Sequence, residues 1–160
     1  MERVFESDRI EFVKVDESLV GDYLTMVNDI ERVGRLIGRR TEPIPPEKEL
    51  RWVRSKREEN APIWSMIEKT SGAFIGNIEL MDVHDGEGEL GIAITAEKQD
   101  RGFGKEAIPA ALGYAKTTLG LKRVFLKVYP DNPRAFHVYE VCGFREYDRN
   151  DEDIFMEIAL

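Results

Sequence analysis

One cysteine and two histidines are all that this chain of 160 residues offers toward disulfide or transition-metal chemistry. A lone thiol, Cys142, cannot close an internal disulfide. His84 and His137 stand far apart, outside any metal-ligand spacing, so no metal is expected. No apolar run reaches the length of about 20 residues that a membrane-spanning helix needs. The opening Met1-Glu2-Arg3-Val4-Phe5-Glu6-Ser7-Asp8 lacks the apolar core of a secretory signal. These absences favour a reducing, cytoplasmic setting with no membrane partner. Basic residues are also in deficit, 23 against 31 acidic ones, for a formal net charge of −8. Such a surface repels nucleic-acid phosphates and suits a cationic partner, although acidic surfaces also simply keep proteins soluble.

What is present reads as one domain over residues 1–160, mixed α/β in class. Alternation predicts a strand over Arg9–Val15. Ser18 is placed to cap a helix carrying Leu19, Tyr23, Leu24 and Val27. A second helical stretch is expected over Ile30–Ile37, ended by Gly38, before the proline-rich breaker Pro43-Ile44-Pro45-Pro46. A helix resumes over Glu47–Glu58. Strands follow over Ile63–Glu68, Phe74–Val83 and Glu89–Thr95, with turns at Thr70-Ser71-Gly72 and at His84 to Gly88. Apolar residues at helical spacing, from Ile108 to Leu119, predict a helix closed by Gly120. A strand over Leu121–Tyr129, a helix from Asn132 to Cys142 and two strands, Phe144–Tyr147 and Ile154–Ile158, complete the chain. The order is helices early, a meander in the middle and one βαβ unit after it.

The densest chemical signal is Gln99-Asp100-Arg101-Gly102-Phe103-Gly104-Lys105, between a strand and a helix. Glycine allows positive φ and close backbone approach. A helix start adds unpaired N–H donors and the positive end of the helix dipole. Together these suit a pyrophosphate. A P-loop is excluded, because Lys105 is followed by Glu106 and no glycine lies at the required upstream position. The dinucleotide pattern GxGxxA does fit Gly102 to Ala107, but Thr95 to Arg101 separate it from the strand. A nicotinamide- or flavin-binding module therefore stays open as one alternative, and a purely structural turn as another.

One strand later stands Asn132-Pro133-Arg134-Ala135-Phe136-His137-Val138-Tyr139-Glu140-Val141-Cys142-Gly143-Phe144. Taken with Gln99-x-x-Gly102-x-Gly104, this block resembles the GNAT superfamily of N-acetyltransferases, whose two motifs run in this order. The run Gly76 to Val83 followed by Glu89 is similar to the polyamine branch, and the general layout to the Rim-type ribosomal-protein branch. The resemblance implies a mixed, twisted, mostly antiparallel sheet of six to seven strands flanked by helices. It implies acetyl-coenzyme A as co-substrate, no metal, and direct attack by a primary amine: a polyamine, a protein N-terminus or another small amine.

Residue roles follow from the same resemblance. Gly102, Phe103, Gly104 and the backbone of Arg101 and Lys105 would hold the pyrophosphate, with Arg101 and Lys105 adding charge or staying solvated. Gln99 would order the loop or touch the ligand. A bulge near Ile94 would free backbone N–H groups for the pantetheine arm, and Asn132 would cap its helix and reach that arm. Tyr139 occupies the position of the acid that protonates the leaving thiolate. Glu89 is placed like a general base, acting directly or through water, and Glu79 would line the acceptor site. Two departures stand out: Ala96 where proline is usual, and Pro109 inside the helix after the glycine turn, where a kink or an early first turn is expected. A non-catalytic coenzyme A sensor would keep the glycine turn without needing Tyr139 or Glu89. An exposed strand edge near the carboxyl end makes a homodimer reasonable.

Overall fold

Alternating and β-branched runs become strands, and the two periodic stretches that follow Asp16 and Pro45 become helices. The structure, a computed structural model, describes all 160 residues. In chain order the elements are β1 (Arg3–Glu6), β2 (Ile10–Lys14), α1 (Val20–Val27), α2 (Pro46–Glu58), β3 (Ile63–Glu68), β4 (Phe74–His84), β5 (Glu87–Ile94), α3 (Phe103–Thr117), β6 (Arg123–Val128), α4 (Pro133–Val141), β7 (Arg145–Arg149) and β8 (Ile154–Ala159). The sheet runs β1-β2-β3-β4-β5-β6-β8-β7, mixed and mostly antiparallel. It has one strand more than the upper expectation of seven. The addition is β1, only four residues long and rich in charge. Its alternation is too brief to register, and pairing with β2 makes it a strand.

By contacts the chain divides into two compact units: Met1–Ile78 with Ile92–Phe103, and Glu79–Gly91 with Gly104–Leu160. In the first, β1, β2 and β3 pair antiparallel, with Phe5 opposite Phe12 and Val13 opposite Ser65. The Phe5 and Phe12 rings stack at 4.2 Å. Val13, Val15, Met26, Val33, Val53, Ile63, Ile67 and Phe74 form a core around Tyr23. The Tyr23 ring meets Trp52 and Phe74 edge-on, at 5.9 and 5.4 Å.

The helical turn before α1 is capped by Asp16, whose carboxylate accepts from the Ser18 N–H at 2.9 Å. Asp16 therefore takes the role expected of Ser18. The helix expected over Ile30–Ile37 is not formed; only a 3₁₀ turn at Gly34–Leu36 is present. Gly34 is pressed against the Val27 carbonyl, where a Cβ would lie at 2.8 Å. Local turn bonds take up the segment's N–H groups, Val33 and Gly34 both donating to the Asp29 carbonyl and Arg35 to that of Ile30, and further bonds join the residues on either side of it. Arg40 donates to the Val27 and Glu42 carbonyls, and the Asn28 amide pairs with both backbone groups of Ile44. A weak helical pattern containing Val33 and Gly34 thus gives way to turns, with Gly34 packed against the Val27 carbonyl.

In the second unit, Asp85 and Gly86 carry φ of 50° and 78° and close a tight hairpin. Positive φ at both central residues is the type I′ signature of an Asp-Gly turn. The parallel ladder of β5 with β6 runs only from Glu87–Arg123 to Glu89–Phe125. By contrast β6 pairs with β8 along its whole length, and β8 with β7. Arg123 ties these strands, donating to Glu157 (2.9 Å) and Glu87 (3.3 Å) beneath the rings of Phe125 and Tyr147.

A buried polar chain crosses the first unit. The Asp16 N–H donates to the Tyr23 hydroxyl (3.2 Å), which lies 2.5 Å from Ser65 Oγ, and Ser65 Oγ lies 2.8 Å from Asn77 Oδ1. The first donor is a backbone N–H, which cannot accept. Tyr23 must therefore donate to Ser65, and Ser65 to Asn77, for each buried proton to be used. Tyr23→Phe breaks this chain at its centre. It should lower stability by about 2 kcal/mol, seen as a fall in Tm of roughly 5 °C; an unchanged melting curve would show that the chain of hydroxyls contributes nothing.

Candidate functional site

The glycine turn is shaped by residues on both sides of it. After β5 the chain makes a 3₁₀ turn at Ala96–Lys98, and Gln99 folds back to donate from Nε2 to the Ile94 carbonyl at 2.9 Å. Gln99 thus fastens the turn to the strand before it. Asp100 and Gly102 then adopt φ of 61° and 80°. Helix α3 starts at Phe103, whose side chain is 2% exposed and anchors the helix start. The N–H groups of Phe103, Gly104 and Lys105 stand in a first turn, where no helical acceptor exists. Arg101 and Lys105 extend into solvent. Successive N–H groups at alternating φ and an open helix start fit a pyrophosphate.

Backbone contact sets the end of β5. A Cβ on Gly76 would lie 2.0 Å from the Ala93 carbonyl oxygen and 2.9 Å from Ile94 Cα. Only glycine admits β5 at this point. The Thr95 N–H donates to the Ile75 carbonyl at 2.9 Å, so β5 rejoins β4 just beyond this close approach. Ile94 itself is half-buried.

In the second unit, Glu89 closes the short β5–β6 ladder opposite Phe125. A Cβ on Gly91 would meet Glu79 Cγ at 3.3 Å and Oε1 at 3.5 Å. The Glu79 side chain therefore lies over Gly91, on the face of β5 that also carries Glu89, two residues away. Both carboxylates are half-buried, and two of them on one face suit a cation.

Tyr139 sits on α4, 8% exposed, with its ring edge-on to Phe144 at 6.0 Å. Burial pushes its pKa up to about 12. Asn132 caps α4, its Oδ1 accepting from the Ala135 N–H at 3.3 Å. Helix α3 runs unbroken through Pro109, which has no N–H for the Lys105 carbonyl. The Cys142 thiol points at that carbonyl from 4.0 Å, a weak replacement from a neighbouring helix. Burial raises the Cys142 pKa, so it stays a thiol.

Sequence reasoning gave Arg9 no role. It lies 92 positions before Arg101, yet its Nη1 donates to the Arg101 carbonyl at 3.2 Å. Its guanidinium covers the Phe103 ring at 4.4 Å. No local pattern signals a contact of that range. The directed chain ending at Asn77 was invisible for the same reason.

Residues 9–145 match the acetyltransferase (GNAT) domain, and the chain belongs to that family. A spermidine N(1)-acetyltransferase from Vibrio cholerae is 35% identical over 100 residues, 61% of this chain and 58% of that protein. The chain spans about half the length of the curated relatives it matches. Among solved structures, a GNAT-family acetyltransferase from Bacillus anthracis superposes with a TM-score of 0.84 at 18% identity, covering 96% of each chain. A Vibrio cholerae spermidine N-acetyltransferase, solved with CoA and spermine, gives 0.75 at 24% identity over 94% of this chain and 95% of that one. These two likenesses establish the fold.

The Tyr139 hydroxyl carries a stability consequence. In the unfolded chain it ionises near ~10, in the folded protein near about 12. Between those values the unfolded state has lost a proton that the native state keeps, so stability falls as pH rises. Thermal melts across that alkaline window should show the fall, and Tyr139→Phe should flatten it. A variant melting in parallel with the wild type would exclude a raised Tyr139 pKa.

Proposed function

We propose that this chain is an acetyl-coenzyme A-dependent N-acetyltransferase whose acceptor is a primary amine of the polyamine class. The match of residues 9–145 to the acetyltransferase domain carries the reaction class, and it draws on both compact units. The polyamine class is supported by the spermidine-acetylating relative, by a net charge of −8 and by the Glu79 and Glu89 carboxylates on one strand face.

Acetyl-coenzyme A supplies the acetyl group as a thioester. The N–H groups of Gly102, Phe103, Gly104 and Lys105 bind its pyrophosphate, and the backbone at Ile94 faces the pantetheine arm. Asn132 fixes the start of α4 and so the place of Tyr139. Glu89, directly or through water, takes the proton that an alkylammonium must lose before its nitrogen can attack. The neutral amine adds to the carbonyl carbon and the carbon–sulfur bond breaks. Tyr139 donates to the sulfur as negative charge gathers there. A phenol held near about 12 remains a donor throughout the working pH range. Its own ionisation therefore causes no alkaline loss of rate below that value.

Calorimetric titration with acetyl-coenzyme A, NADH serving as control, followed by thiol release against polyamines, short peptides and simple amines, tests the reading. Tight binding of acetyl-coenzyme A and release dependent on polyamines are expected. Tyr139→Phe should lower kcat by about 100-fold with little change in acetyl-coenzyme A affinity. Binding without release on any amine would instead identify a coenzyme A sensor, and NADH binding a dinucleotide module.

A further inference from the structure

We infer that Arg9 is a positioning residue for coenzyme A: through the Arg101 carbonyl it aims the Gly102 N–H at the pyrophosphate. The inference rests on the acetyl-transfer reading and assigns a role to a residue outside both motifs.

In a trans peptide unit the carbonyl of one residue and the N–H of the next lie in one plane and point in opposite directions. The Arg101 carbonyl and the Gly102 N–H form such a unit. Arg9 Nη1 holds that carbonyl at 3.2 Å, which turns the Gly102 N–H to the other side. The Gly102 N–H has no acceptor within the fold. Released, the unit could rotate and present a carbonyl oxygen to the phosphate, reversing attraction into repulsion.

Three observations hold Arg9 to this task. Its guanidinium lies over the ring of Phe103, the buried first residue of α3, at 4.4 Å. A Cβ on Gly102 would come within 3.5 Å of Arg9 Nη2, so the guanidinium lies close against the glycine itself. Gly102 takes a φ of 80°, a conformation that needs outside support to remain the single state of the turn. A planar guanidinium can stack and donate at once, which an ammonium cannot.

The experiment compares a ligand that has the pyrophosphate with an acetyl donor that lacks it. Wild type, Arg9→Ala and Arg9→Lys are titrated with coenzyme A by calorimetry, and kcat/KM is measured with acetyl-pantetheine. Arg9→Ala should raise the Kd for coenzyme A by about tenfold, the scale of one charge-assisted hydrogen bond. Its kcat/KM with acetyl-pantetheine should stay at the wild-type value. Arg9→Lys should fall between the two in Kd, because it restores the donor without the stacking face, and it carries the same comparison should Arg9→Ala fail to fold. Equal losses with coenzyme A and with acetyl-pantetheine would indicate general damage and overturn the role, as would an unchanged Kd in either variant. Wild-type protein that does not bind coenzyme A would overturn the acetyl-transfer reading itself, a result distinct from a variant that binds as well as wild type.

Discussion

The carbonyl of Ala93 lies against Gly76 with no room for a Cβ between them, and the shape of the glycine turn descends from that contact. It fixes where β5 ends. Gln99 then bonds back to the Ile94 carbonyl, so the turn leaves the strand at a set point. Asp100 and Gly102 take their positive φ values there, and α3 begins on the buried Phe103. Each step is short-range, yet the first depends on two strands meeting at the right register.

The ionisation of Tyr139 rests on burial in the same way. Tyr139 is an ordinary phenol until packing on α4 buries it and raises its pKa. The low dielectric makes the neutral form the favoured one, which is what a proton donor requires. Asn132 and the Cys142 thiol, aimed at the carbonyl orphaned by Pro109, steady the helices around it.

Much of this was legible. Thr70-Ser71-Gly72 and Asp85-Gly86 announced their turns, because those residues tolerate backbone angles that others do not. The glycine turn and the block from Asn132 to Phe144 named their family through residue types at fixed spacing. Other features were hidden. Four residues of β1 carry too little alternation to stand out, and their strand exists through pairing with β2. Ile30–Ile37 has helical spacing, but its N–H groups bond in local turns, flanked by the bonds of Arg40 to Val27 and of Asn28 to Ile44.

The amino-acid sequence by itself determined the order of most strands and helices, the conformations open to each glycine, and which residue types were available for acid, base and phosphate contacts. These are local properties, set by sterics and periodicity within a few residues. Only the tertiary structure decided that Arg9 would grip a carbonyl 92 positions away, that Glu79 would lie on the face carrying Glu89, and that Tyr23, Ser65 and Asn77 would form one directed chain. Contacts between distant segments depend on strand register and on how helices pack, and no neighbouring residue encodes them.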